Sequence, residues 1–202
     1  MAIVQRIKGI CLKPKDEWQI ITAESSSTSD LFKNYAIPLA AIGAVTGFIG
    51  MSFVGITIPM LGTIRTPLVS GLVGAIVRLV LSLVGVYVLA LIIDALAPKF
   101  GGEKNAAQAL KIAVYSSTPG WVAGALNLLP SLGMLAALAG LYGLYLMYLG
   151  LPRLMKSPQE KAVGYTLVVV ACAIGIAIVT SVVVGVATPV GRMAVGGVPP
   201  GL

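Results

Sequence analysis

From Leu68 to Ala97 the chain runs between two prolines, Pro67 and Pro98, with Arg78 and Asp94 as its only charged side chains. A bilayer core about 30 Å thick takes about 20 apolar residues as a helix, and an apolar run this long is a membrane-span candidate. Four further windows of that length follow the same logic: Ala36–Ile58, Ala106–Leu129, Ser131–Leu151 and Val163–Ala187. Five spans are therefore expected, in an all-α polytopic membrane protein. The Leu68–Ala97 segment exceeds one crossing, so its start is expected at the outer interface. Pro130 separates the third and fourth spans with almost no loop, which predicts a tight antiparallel hairpin.

Composition supports this class. The 202 residues are 57% hydrophobic and 10% charged, with a mean hydropathy of +0.97, against about 25% charged in soluble domains. The first 35 residues carry charges throughout, so the first span is expected to direct insertion itself. Of the fourteen Lys and Arg, eleven fall on one side of the predicted membrane. Arg6, Lys8, Lys13, Lys15 and Lys33 precede the first span. Lys99, Lys104 and Lys111 follow the second, and Arg153, Lys156 and Lys161 follow the fourth. Only Arg65 and Arg192 lie on the other side, which puts the N-terminus in the cytoplasm and the C-terminus outside. The net charge of +7 reflects this asymmetry and does not point to nucleic acid.

Residues 1–35 are expected to form a cytoplasmic region of short amphipathic helices and a linker. Ile3, Val4, Ile7, Ile10 and Cys11 share one helical face, with Arg6, Lys8 and Lys13 read as lying off it. Such a helix rests either on anionic lipid or on the protein's own loops. Pro14 opens a second helix with Asp16 and Glu17 in its first turn, anchored by Trp18 and Ile21. Ser25–Ser29 reads as a flexible linker, and residues 188–202 as a disordered tail outside. Cys11 and Cys172 read as free thiols.

Charged groups inside spans are the first places to look for function. At 1.5 Å per residue, Asp94 and Lys111 fall at one level, about a turn inside the cytoplasmic surface, and are expected to form a structural ion pair. Arg78, sixteen residues earlier, lies about 24 Å higher, at the outer interface, where it can snorkel. Pro119 falls about 12 Å above Lys111, at midplane. It frees the Tyr115 carbonyl, and an unsatisfied carbonyl in hydrocarbon is costly. Ser116, Ser117 and Thr118 are suited to satisfy this turn. By level, Tyr87, Tyr142 and Tyr145 are candidates to complete a polar layer with Tyr115–Pro119. Gly43 with Gly47 and Gly120 with Gly124 are small-residue pairs suited to close helix packing.

The sequence has no histidine, no metal-ligand cluster and no phosphate-loop spacing; neither a cofactor nor catalysis is expected. Lys111 is the sole candidate base near Ser116 and Ser117, and at the interface it reads as a charged, snorkelling lysine.

The stretches "IIDALAPKFGGEKNAAQALKIAVYSSTPGW" and "GLYGLYLMYLGLPRLMKSPQEKAVGYTLVVV", with "PKDEW" near the start, resemble the Yip domain family, the Ypt/Rab-interacting-protein family, in its bacterial branch. The resemblance covers roughly residues 14–187. It implies an integral membrane protein with five spans and a cytoplasmic N-terminus. Eukaryotic relatives act in vesicle trafficking by binding Rab-type GTPases and each other; for a bacterial chain those GTPases are not expected partners. A non-catalytic scaffold or adaptor in the bacterial inner membrane is the expected role, shaping the bilayer or binding copies of itself or other membrane proteins. The alternative is a small transporter, channel or lipid-handling protein that uses the polar kink at Tyr115–Pro119.

Overall fold

In the computed structural model the described residues are 3–58, 62–129 and 132–187. They form eight α-helices and one short hairpin. Helices α1 (Ile3–Leu12) and α2 (Pro14–Ala23) are the two short N-terminal helices, with Pro14 at the first turn of α2, where its missing N–H costs nothing. Helix α3 (Thr28–Leu31) is capped by Ser27, whose Oγ accepts from the Asp30 N–H at 3.0 Å. The run read as a flexible linker thus contains a helix start: a serine three residues before an acidic one is a capping signal.

Helix α3 continues through a π-helical turn, Phe32–Ala36, into α4 (Ile37–Ile49), and ends in a second π turn, Gly50–Val54. The first π turn precedes Pro38, whose missing N–H and bulky ring disturb the regular ladder just there. Gly55, at φ 80, stops the helix. Ile56–Ile58 (β1) then pairs antiparallel with Gly62–Ile64 (β2), tied by a 3.0 Å hydrogen bond between the Thr57 and Thr63 hydroxyls. The expected first span is therefore corrected at both ends. The helix begins eight residues earlier, at Thr28, and Ile56–Ile58 belongs to a hairpin, as their β-branched alternation favours.

Helix α5 (Leu68–Leu96) fills the expected second span and tightens into a 3₁₀ turn, Ala97–Phe100. Gly101, left-handed at φ 74, ends it: the Gly101 and Gly102 N–H groups bond the Pro98 and Ala97 carbonyls, closing the orphaned helix end. Helix α6 (Ala106–Ala123) starts at Asn105, whose side chain accepts from Gln108 N–H, and carries on as a 3₁₀ turn, Gly124–Leu128. Helix α7 (Gly133–Leu154) and helix α8 (Gln159–Ala187) complete the fold. Pro130 and the tail from residue 188 lie outside the described residues.

Among the described residues three helices are long and apolar enough to cross a membrane: Thr28–Val54, Leu68–Phe100 and Gln159–Gly185. Helix α6 is different. Eleven of its eighteen residues are buried, because it packs against α1, α3, α4, α5 and α7 at once. Close approach there needs glycine. A Cβ on Gly124 would sit 2.8 Å from the Gly43 Cα, and one on Gly143 2.5 Å from the Ser116 carbonyl oxygen. Thr46 uses the first contact to donate to the Gly124 carbonyl at 2.7 Å. Helices α5 and α8 run side by side, and Tyr165 donates to the Ile93 carbonyl.

The N-terminal helices rest on this bundle. Ile10, Trp18 and Ile21 are fully buried, each contributing on the order of 1.5–3 kcal/mol. Arg6 corrects the amphipathic reading of α1, since it points inward and is 4% exposed. Its place, three residues after Ile3 and four before Ile10, is on the apolar face.

Candidate functional site

Tyr115, in the middle of α6, is the hub where the N-terminal helices meet the membrane helices. Trp18 meets its ring edge-on at 6.4 Å, and Tyr35 does so at 4.9 Å. The Arg6 guanidinium lies 5.5 Å from the ring centroid, within cation–π range. Arg6 also donates through Nη1 to Glu17 Oε1 at 2.6 Å and through Nη2 to both carboxylate oxygens of Glu24. Glu17 is buried too, and Gly9 makes room for it: a Cβ there would sit 2.1 Å from Glu17 Oε2.

Burial works against the Arg6 charge, but the hydrogen bond to Glu24, helped by Tyr115 and the two carboxylates, more than offsets it. Its pKa is raised above the ordinary arginine value. Such a buried pair is costly to break, because the abandoned carboxylate stays inside.

A second set of contacts closes the ends of the N-terminal helices. Lys111 Nζ donates to the Ile21 carbonyl at 3.0 Å and to the Glu24 carbonyl, at the C-terminal end of α2. Gln108 reaches the Thr22 carbonyl at 3.4 Å. Tyr142, from α7, donates to the Cys11 carbonyl at 2.9 Å, and Arg153 donates to the Lys15 carbonyl. The Cys11, Ile21, Thr22 and Glu24 carbonyls stand at helix C-terminal ends, where they lack partners and carry the negative end of the dipole, so donors and cations are favoured there; the Lys15 carbonyl lies in the first turn of α2. Helices α6 and α7 supply those donors.

This overturns the expected ion pair. Lys111 and Asp94 form no salt bridge among the described residues; Lys111 caps α2, and Asp94 Oδ1 is buried without a hydrogen-bond partner. Rise per residue puts the two at one level but leaves their directions around the helix axes undetermined.

The expected polar layer also forms differently. Thr118 Oγ1 bonds the Tyr35 hydroxyl at 2.9 Å, and Ser117 Oγ donates back to the Ala113 carbonyl at 2.8 Å. Ser116 Oγ is buried with no partner among the described residues. None of the three takes the Tyr115 carbonyl that Pro119 frees. Tyr87 and Tyr145 are exposed and stay out of the layer: Tyr87 leans on Phe32 at 6.4 Å, and Tyr145 on Tyr142 at 5.7 Å. Tyr35 completes the site instead. The Tyr35–Thr118 bond spans 83 residues, and the local pattern around neither residue signals it.

Arg78 is exposed. It lines a cleft of about 700 Å³ between α5, α6 and α8, into which Ser117 also opens.

A helical membrane bundle whose N-terminal helices are fastened to its central helix by a buried ion-pair cluster defines the class. Within that class the chain belongs to the Yip1 domain family, whose model matches residues 8–182. Neither a search of curated proteins nor one of solved structures found a match.

Proposed function

We propose that this chain is a non-catalytic scaffold or adaptor of the bacterial inner membrane. In this reading it crosses five times, with the N-terminus in the cytoplasm, and binds a second copy of itself or other membrane proteins. The supporting observation is that the charged and polar groups gathered around Tyr115 close on one another. Arg6, Glu17, Glu24, Lys111, Tyr35 and Thr118 all have partners within the fold, while the outward faces are apolar. Helix α4 presents Val45 and Ile49, and α8 presents Ile174, Ile178 and Val182. Such faces suit lipid or another membrane helix, where packing rather than water exclusion drives association.

Photo-crosslinkers placed at Val45 and Ile178 in living cells test this reading. A defined homo-oligomer or a single membrane partner is expected. Recovery of monomer and random lipid adducts alone contradicts it.

The reading as a small transporter, channel or lipid-handling protein draws on one observation, the 700 Å³ cleft that reaches Ser117 beside the kink. Flux of ions, osmolytes or labelled lipid through reconstituted protein, abolished by Ser117→Phe, is its expected signature. A flat response across those cargoes removes it.

A further inference from the structure

Arg78 has no carboxylate to answer it. The seven Asp and Glu of the sequence stand at positions 16, 17, 24, 30, 94, 103 and 160, so none occurs between Leu31 and Ile93. Among the described residues Arg78 takes part in no ion pair. It borders the 700 Å³ cleft on one side and a pocket of about 130 Å³ beside Gly47 and Thr66 on the other.

The cleft is graded along its length. Near Arg78 its lining includes Ser82, one turn further along α5, together with Thr180 and Ser181 on α8. Deeper in, its walls are mostly apolar, Val86, Leu89, Ala173 and Ile176, with Ser117 beside them, whose hydroxyl turns back to the Ala113 carbonyl. From Arg78 to Leu89 is eleven residues, or about 16 Å of helix, roughly half of a 30 Å hydrocarbon core. Both long walls, α5 and α8, are helices able to cross a membrane. On α5, Arg78 stands eighteen residues, about 27 Å of helix, before the end at Leu96, close to a full hydrocarbon thickness. The guanidinium therefore belongs at headgroup depth and the apolar shaft beneath it in hydrocarbon.

A cation with hydroxyls above an apolar channel one leaflet deep matches one ligand chemistry, an amphiphile with an anionic head. We infer that the α5–α8 cleft binds an anionic phospholipid, with its phosphate on Arg78 and an acyl chain along Val86, Leu89 and Ile176. This rests on the spanning arrangement proposed above, and on no part of the scaffold role.

Reconstituted full-length protein is labelled with photoactivatable phosphatidylglycerol or phosphatidylcholine, and the labelled peptides of α5 and α8 are quantified. Labelling by phosphatidylglycerol is expected to exceed labelling by phosphatidylcholine about fivefold. Arg78→Gln removes the preference and Arg78→Lys keeps it. Ala177→Trp, which fills the cleft and leaves the charge, lowers both labels and decides the matter if Arg78→Gln fails to fold. Equal labelling by the two lipids in the unsubstituted protein, or labelling unchanged in Ala177→Trp, overturns the inference. Crosslinking at Val45 on the same variants separates the two proposals. A partner retained while lipid preference is lost leaves the scaffold standing, and the converse leaves the cleft.

Discussion

At one end of the bundle Arg6 is 4% exposed and held by Glu17, Glu24 and the Tyr115 ring. At the other, Arg78 is exposed, and its nearest acidic neighbour in sequence is Asp94, sixteen residues away. Both are arginines beside apolar helices. What separates them is whether a neighbouring helix brings carboxylates. Helix α2 places Glu17 on one face, and Glu24, seven residues on, returns to that face just past its end. The hairpin, α5 and α8 offer Arg78 no carboxylate. A cation enclosed with its counter-charges works as a fastening, whereas one left at a cleft mouth is available to a ligand.

The sharpest way to break this contrast is Arg6→Ala. It leaves Glu17 buried and unpaired, and a loss of about 3–5 kcal/mol is expected, read as a large fall in Tm in detergent with early proteolysis of residues 3–24. Lys111→Met comes next. It strips the charged donor from the end of α2 and should cost about 1.5–3 kcal/mol, with the same early proteolysis and the membrane helices otherwise intact by circular dichroism. Gly150→Ala is smaller. A Cβ there would sit 2.9 Å from the Trp18 ring, so overpacking of about 1–3 kcal/mol is expected, with a change in Trp18 fluorescence. The smallest effect belongs to the other end: Arg78→Ala should shift stability in detergent by less than about 0.5 kcal/mol. A fall as large as that of Arg6→Ala would erase the distinction.

The long apolar runs were legible because burial in lipid demands them. Helix α5 begins at Leu68, as hydropathy alone indicates. Of the small-residue pairs, Gly43 and Gly124 do meet, whereas Gly120 faces open space. What the sequence withheld was direction around each helix. Depth arithmetic placed Asp94 beside Lys111, and Tyr87 and Tyr145 beside Tyr115, from height alone. Lys111 turned instead toward α2, and Tyr87 and Tyr145 toward the surface. Arg6 departs from expectation for a different reason. Charge made it look like a solvent-facing residue, although its spacing from Ile3 and Ile10 put it on the buried face. Tyr35 stands one residue before the expected first span, and its bond to Thr118, 83 residues away, has no local signal in the sequence.

The central claim is that the N-terminal helices belong to the folded core and do not float on the membrane surface. Hydrogen–deuterium exchange on the reconstituted protein tests it most directly. The account predicts that amides of residues 15–24 are protected comparably to those of residues 110–118, and that Arg6→Ala removes protection from the first set only. Rapid exchange of residues 15–24 in the unsubstituted protein, with residues 110–118 protected, would contradict it.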